Sequence, residues 1–358
     1  MSRNKKRMIL TAALPACLCA LVIAGGICLY KPWFNGKWDG TFHAQECLSL
    51  TKSGEDLKVL QITDLHVDYT NKQHDKIWDN LEKLLLHNEF DLAVVTGDWT
   101  SDTENVPATE KLISVMDSCG KPWAVIFGNH DSEGNASREE LAALFQTRAK
   151  NCLFAKGPDS LSGVGNYVVN IYNHEDPTHL DASLILMDSH YAKFGTMKYK
   201  PIYRDQIKWY ERNIEGLQQL YASQDGNAAG TIPSLLFIHV PLNEYADAWD
   251  QGKASLENHL CGGNNEEVCP PTYNTGMFRA IRALGSTRAV FCGHDHANNS
   301  VMRYQDVMLC YGVQTGVCET DGYASTMRKG ANLITLKSDG TVLVDQILTV
   351  SYPTTAGN

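Results

Sequence analysis

Short apolar runs alternate with amphipathic segments along most of the chain, and this alternation predicts an α/β fold. The apolar runs predict β-strands at residues 59–63, 92–95, 124–127, 167–172, 183–187, 235–238 and 288–292. Apolar residues at helical spacing predict helices at residues 73–88, 108–118, 137–149 and 203–220. Strands that alternate with helices in this way pair in parallel and are covered on both faces.

The C-terminal part of the chain has a different pattern. Residues 307–348 are typical of several antiparallel strands, with Asp339 and Gly340 forming a hairpin turn. Ahead of them, residues 243–274 form a long polar insertion, and loops of that length are uncommon without a function. By their position after residue 239, we expect Tyr245, Trp249 and Asp250 to form a wall over a ligand cleft.

The cysteines divide between apolar and polar surroundings. Cys261 and Cys269 flank a polar loop inside the insertion, and we predict a disulfide between them. Cys310 with Cys318 is a second candidate pair, whereas Cys292 lies in an apolar run and is expected to be a buried free thiol.

The first 31 residues differ from the rest. A basic cluster at positions 3–7 precedes residues 8–30, a run of 23 without a charge, which is long enough to cross a hydrocarbon core as a helix. We predict a cytoplasmic basic stub and a transmembrane signal anchor over residues 1–31, followed by a tether and a first strand over 32–56. A cleaved secretory signal is the alternative. The basic cluster should stay in the cytoplasm, which places the residues after about 32 outside, and both alternatives put the catalytic part beyond the membrane.

Charge narrows the choice of partners. The formal net charge is -10 and no block rich in Lys or Arg follows residue 10, so we predict no nucleic-acid partner. The overall field of such a protein repels anionic ligands as well. Any attraction for an anion must therefore be local, and bound metal cations would provide it.

Potential metal ligands follow five of the predicted strands directly. The five blocks are Asp64-Leu65-His66, Gly97-Asp98, Gly128-Asn129-His130-Asp131, His239 and Gly293-His294-Asp295-His296. In open α/β sheets, ligands bind at the carboxyl ends of strands, so the five blocks can face one crevice. Mixed carboxylate, amide and imidazole ligands favour Fe, Mn, Zn or Co over Ca or Mg.

The order of these blocks resembles the calcineurin-like metallophosphoesterases, which share the pattern DxH, GD, GNH[ED], H and GHxH. The resemblance spans roughly residues 58–320. Within the family, residues 233–242 and 289–296 are similar to the purple-acid-phosphatase-like branch. Ser101 stands where true purple enzymes carry a tyrosine ligand, so no tyrosine ligand is expected. The resemblance implies a four-layer α-β-β-α sandwich, with a catalytic domain over residues 57–350.

The resemblance also implies a role for each site residue. It implies two transition-metal ions, which would be Fe, Mn or Zn. The first would be held by Asp64, His66 and His296, and the second by Asn129, His239 and His294. Asp98 would bridge both ions. His130 would protonate the leaving oxygen or stabilise the transition state, and Asp131 would orient its imidazole. His190, after another strand, is a further candidate for the cleft wall.

The function implied is an extracytoplasmic hydrolase in which a metal-bound hydroxide attacks the phosphorus of a small-molecule phosphomonoester. A phosphodiesterase or pyrophosphatase acting on nucleotides or lipid-linked phosphates is the alternative. A catalytically silent binding protein on the same fold is the third hypothesis, and it predicts damage to the ligand set. The sequence carries all seven ligands and His130.

Overall fold

The helices and strands follow the predicted alternation closely. The computed structural model describes residues 37–70, 74–191, 199–224, 230–255, 257–316 and 329–349. The predicted signal anchor and Cys318 lie outside these ranges. Within them, no helix combines the length and the apolar character needed to cross a bilayer.

The predicted helices are present, with two more. The six α-helices of the described residues are α1 (His74–His87), α2 (Asn105–Ser118), α3 (Arg138–Thr147), α4 (Arg204–Ala222), α5 (Glu244–Ala254) and α6 (Met277–Leu284). Ser137 caps α3, because its hydroxyl accepts from the Glu140 N–H while the Glu140 carboxylate accepts from the Ser137 N–H. A short 3-10 helix, Ala44–Glu46, precedes the first strand.

Two β-sheets contain the strands of the described residues. The larger sheet has eight strands in the order β1 (Leu48–Thr51), β5 (Tyr167–Tyr172), β6 (Leu180–Leu186), β7 (Ser234–Phe237), β9 (Thr287–Cys292), β11 (Val307–Tyr311), β10 (Val301–Tyr304) and β8 (His259–Cys261). The smaller sheet has five in the order β13 (Val342–Leu348), β12 (Gly330–Leu336), β2 (Leu57–Ile62), β3 (Leu92–Val95) and β4 (Trp123–Val125). The site-bearing strands β2, β3 and β4 run parallel to one another, as do β7 and β9.

Alternate residues of the larger sheet belong to two different hydrophobic clusters. Leu235 and Phe237 of β7 lie in a cluster shared with the smaller sheet and helices α1 to α3. Leu236 and Ile238 lie in a second cluster, with α4, α5 and α6. Side chains that alternate between two cores show that the sheet is buried on both faces. The predicted mixed α/β sandwich is thereby confirmed.

The polar insertion differs from the prediction. It contains α5 and the edge strand β8, which pairs with β10. Tyr245 is a core residue rather than a cleft wall, since it is fully buried and its hydroxyl donates to the Val290 carbonyl at 2.8 Å. Trp249 packs against the same core, and Asp250 forms an exposed ion pair with Lys253.

The predicted disulfide inside the insertion is wrong, because Cys261 and Cys269 are both free thiols. Hydrogen bonds hold the loop instead: the Asn298 amide oxygen accepts two backbone N–H groups, and that of Asn299 accepts the Gly263 N–H. Cys292 is a buried free thiol, as predicted.

The tail is antiparallel only in part. β12 and β13 form the predicted hairpin, with Gly340 at a φ of 83° in the turn. β11, however, pairs in parallel with β9 and antiparallel with β10.

Candidate metal centre

The five ligand-bearing blocks meet at one edge of the sandwich. Asp64, Asp98 and Asn129 follow β2, β3 and β4 of the smaller sheet, and His239 and His294 follow β7 and β9 of the larger one. Backbone hydrogen bonds join neighbouring blocks: the Asp64 N–H donates to the Gly97 carbonyl at 3.1 Å, and the His66 N–H donates to the Asp98 carbonyl at 2.9 Å. Across the sheets, the His294 N–H donates to the Asp64 carboxylate at 3.1 Å, so the sandwich assembles one crevice from both sheets.

The backbone is strained where it delivers these side chains. Asp64, His66, Asp98 and His294 adopt φ values of 54°, 47°, 52° and 77°, in the left-handed region that non-glycine residues rarely occupy. Gly128 has to be a glycine for a different reason, since an added Cβ would collide with the Asp98 carboxylate. Residues held in such conformations cluster at functional sites.

One group of ligand atoms comprises Asp64, His66, Asp98 and His296, all within 4.8 Å of one another. Nε2 of His66 lies 3.6 Å from Oδ1 of Asp64 and 3.7 Å from Oδ2 of Asp98. Nε2 of His296 lies 3.5 Å from the same oxygen of Asp64. These separations exceed a hydrogen bond and leave space for a cation among the four side chains.

A second group comprises Asp98, His239 and His294, again within 4.8 Å. Nε2 of His239 lies 3.0 Å from Oδ2 of Asp98 and 3.1 Å from the amide oxygen of Asn129. Nδ1–H of His239 donates to the Thr96 carbonyl at 2.8 Å, which turns Nε2 toward the crevice. Asp98 belongs to both groups, so its carboxylate lies between two adjacent positions.

Burial and neighbouring charges shift the pKa values of the site residues in opposite directions. Burial disfavours the charged imidazole of His239, yet the adjacent Asp98 carboxylate raises its pKa to about 9. Burial lowers the pKa of His294 to about 3. Burial also opposes ionisation of Asp98, but the His239 charge holds the pKa of that carboxyl well below its usual range. Burial opposes ionisation of Asp64 as well, but the adjacent imidazoles of His296 and His66 hold its pKa well below the usual range. The site therefore favours two ionised carboxylates surrounded by imidazoles.

Two buried atoms of the site need a partner. Among the described residues, Nε2 of His66 has no hydrogen-bond partner, and Oδ2 of Asp98 has none with good geometry although Nε2 of His239 lies 3.0 Å away. A buried polar atom without a partner costs about 1–3 kcal/mol, so such atoms indicate an ion or a ligand. The donor set of carboxylate, amide and imidazole suits a transition-metal ion. The residues present thus fit a dinuclear metal centre.

His130 lies beside the metal ligands and is held differently from the prediction. Its Nδ1 is 2.7 Å from the Glu133 carboxylate, whereas Asp131 does not orient it. Oδ2 of Asp131 accepts the N–H groups of Asp98 and Gly128 at 2.9 and 2.7 Å. Asp131 is fully buried, and burial together with the Asp98 charge raises its pKa to about 7. It therefore fixes the loop backbones, and Glu133 fixes the imidazole.

The remaining candidates have structural contacts. The His190 imidazole is buried, with Nε2 2.8 Å from the Gln206 amide oxygen, although the residue does border a groove beside Asn129. The Asp295 carboxylate accepts from the Tyr311 hydroxyl at 2.5 Å and from the Cys269 N–H at 3.2 Å, and burial raises its pKa to about 7.

Sequence reasoning missed Glu133 and Arg138. Glu133 follows His130 by three residues, and this short spacing is the sequence signal that indicates a contact between the two side chains. Arg138 stands in the first turn of α3, where the helix dipole disfavours a cation, and a basic residue there indicates an acidic partner from elsewhere. Its partner is Asp188, in the segment that follows β6.

Comparisons with known proteins point the same way as the geometry. The family model described as calcineurin-like phosphoesterase matches residues 57–298. The chain is 29% identical over 281 residues to the phosphatase DCR2 of Saccharomyces cerevisiae; the match covers 71% of this chain but only 47% of the yeast protein, about half its length. It is 25% identical over 291 residues to a protein named "Probable inactive purple acid phosphatase 14" of Arabidopsis thaliana, covering 72% of this chain and 70% of that protein.

Among solved structures, a dimetal phosphatase from Danio rerio aligns with 81% of this chain and 98% of its own, with a TM-score of 0.50 and 12% identity. At that identity the likeness concerns the fold.

Proposed function

The chain belongs to the calcineurin-like phosphoesterase family, in its purple-acid-phosphatase-like branch, and from this we propose that it hydrolyses a small-molecule phosphomonoester at a dinuclear metal centre. The observation that carries the proposal is the position of Asp98, whose carboxylate belongs to both groups of ligand atoms. Two metal positions that share one carboxylate suit in-line displacement at phosphorus.

Each metal position has its own residues in this proposal. Asp64, His66 and His296 would hold the first ion, Asn129, His239 and His294 would hold the second, and Asp98 would be shared by both. When bound, two cations would supply positive charge to the phosphoryl oxygens and to the attacking water. Because the chain is acidic overall, this local charge is what attracts an anionic substrate. Fe, Mn and Zn are the candidate ions.

His130 supplies the proton in this scheme. Glu133 occupies its Nδ1, which leaves Nε2 to serve the oxygen of the departing group. Burial opposes a charged imidazole, but Asp98 and Glu133 together raise the pKa of His130 above its usual value. A raised pKa increases the protonated fraction that a general acid requires.

A groove of about 640 Å³ beside Asn129 gives the substrate a place to lie. It runs past Glu133, Lys156, Tyr191 and Lys200. We propose that the group released from phosphorus occupies this groove, with the phosphoryl group at the metal positions.

Location remains a proposal from the sequence. The basic cluster at positions 3–7 and the uncharged run over 8–30 support a membrane-anchored enzyme with its site outside the cytoplasm.

Metal analysis of the full-length chain tests the proposal. We expect about two transition-metal ions per chain, hydrolysis of an aryl monophosphate, loss of activity with a chelator and recovery on adding Fe, Mn or Zn. Faster hydrolysis of a bis-aryl phosphate than of the monoester would replace the monoesterase assignment with a diesterase.

The name of the plant relative favours a second candidate, a silent binding protein on this fold. The expected damage to the ligand set is absent from the sequence, so this candidate would now require two bound metals with no turnover on monoesters, diesters or pyrophosphates. A chain without bound metal and without turnover would overturn both.

A further inference from the structure

Arg138 is a cation buried between the two sheets. Only 5% of its surface is exposed. Its guanidinium donates to the Asp188 carboxylate, to the Gly128 carbonyl at 2.5 Å and to the His190 carbonyl at 3.2 Å. Its Nε donates to the Ser132 hydroxyl at 3.2 Å. The Arg138 guanidinium thus donates hydrogen bonds both to the loop after β4 and to the segment after β6.

These contacts lead to two residues of the second metal position. Gly128 precedes Asn129 in the loop after β4. On the other side, Ser189 follows Asp188, and its hydroxyl accepts the N–H groups of His239 and Val240 at 3.1 and 2.9 Å. One guanidinium therefore connects the backbone that carries Asn129 with the backbone that carries His239.

Asp188 is itself held rigidly. One carboxylate oxygen accepts the Val164 N–H at 2.8 Å and the other accepts the His190 N–H at 2.8 Å. The Gln206 amide donates to the Asp188 carbonyl at 2.7 Å. A buried ion pair whose partners are fully hydrogen-bonded keeps a single geometry.

Asn129 and His239 come from different sheets, yet their ligand atoms lie 3.1 Å apart. We propose that Arg138, through Asp188 and Ser189, positions Asn129 and His239 and so sets the affinity of the second metal position. The inference rests on the proposed function in so far as it concerns metal ions. Partners behind metal ligands typically change metal affinity about 10–100-fold.

Lysine cannot replace the guanidinium in this role. It could form a pair with Asp188, but a point charge on a flexible stem lacks the planar fork that reaches Gly128 and His190 together. Arg138→Lys is therefore the informative variant, and Arg138→Met removes the charge altogether. Lys52→Met is the matched control, because Lys52 is equally buried and pairs with Asp181 at 2.7 Å away from the crevice.

The first measurement is a Co²⁺ titration of the metal-depleted full-length chain, followed by visible absorption. Asn129→Ala identifies the step that belongs to the second position. In Arg138→Lys we expect that step to weaken about 10–100-fold while the other step stays unchanged. Lys52→Met should alter neither step. Equal weakening of both steps, or no weakening in either Arg138 variant, overturns the proposal.

Amide hydrogen exchange on the metal-free chain is the second measurement, and it does not depend on metal binding. We expect Arg138→Lys to exchange at least about 10-fold faster than the parent at residues 128–130 and 239–240, with residues 64–66 unchanged. If the parent binds no Co²⁺, the proposed function fails, and this exchange pattern alone decides the positioning role. Unchanged exchange at both segments refutes it.

Discussion

Asp131 offers a sharp test of how the site is built, because its two possible roles predict different losses. Its Oδ2 accepts the N–H groups of Asp98 and Gly128 at 2.9 and 2.7 Å, and its Oδ1 lies 3.3 Å from the Thr100 nitrogen. Asp131→Ala leaves the two short donors buried without an acceptor. At about 1–3 kcal/mol each, the free energy of unfolding should fall by about 2–6 kcal/mol.

Asp131→Asn should cost less, for a reason visible in the same contacts. The amide oxygen can take the place of Oδ2 and keep both short hydrogen bonds. The amide NH₂ then faces the Thr100 N–H, which is left without an acceptor. We expect a loss of about 1–3 kcal/mol.

Urea unfolding of the metal-depleted full-length chain, followed by circular dichroism, measures both losses. Asp339→Asn is the matched control, because Asp339 accepts the Thr341 N–H at 2.8 Å in an exposed hairpin turn, where a change within about 0.5 kcal/mol is expected. If Asp131→Ala and Asp131→Asn unfolded at the parent midpoint and lost only turnover, Asp131 would orient the imidazole after all. Should Asp131→Ala fail to fold, Asp131→Asn decides.

Three further predictions concern the site and its supports. His130→Ala should keep both metals, because only its backbone N–H bonds to Asp98 (2.8 Å), but should lose about 10²–10⁴-fold in turnover; parent-like hydrolysis of an aryl phosphate would contradict the role. Asp98→Asn should lower the metal content at both positions, and elemental analysis that still finds two tightly held ions would count against the bridge. Burial opposes ionisation of Asp188, yet Arg138 lowers its pKa. The ion pair therefore stabilises the fold above about pH 4, and this stabilisation is lost as the pH falls through the lowered pKa of Asp188. We expect the difference in urea midpoint between the parent and Asp188→Asn to narrow from pH 6 to pH 3.

The crevice could be predicted from sequence because its ligands follow strands directly. Asp64, Asp98 and Asn129 each end a short apolar run, and the end of a strand fixes where the next side chain can lie. Strand order and carboxyl-end geometry then bring distant segments together.

The supports of the crevice could not be predicted in the same way. Arg138 and Asp188 are 50 residues apart, and no local pattern specifies which acid a buried base will meet. The sequence pattern does not predict helix α5, because only a few of its positions, such as Tyr245 and Ala248, are buried in a largely polar stretch. The assignment of Asp131 to His130 failed because adjacency in sequence says little about the direction of a buried carboxylate.

The left-handed backbone at Asp64, His66, Asp98 and His294 has a consequence for the metal-free chain. Each such residue is disfavoured by about 1–3 kcal/mol, so the fold is less stable at this edge than an unconstrained chain would be. Ions that bind only the folded state add stability in proportion to the logarithm of their concentration. The temperature at which this chain unfolds should therefore rise with the supply of metal ions, so that heat resistance becomes a readout of metal availability.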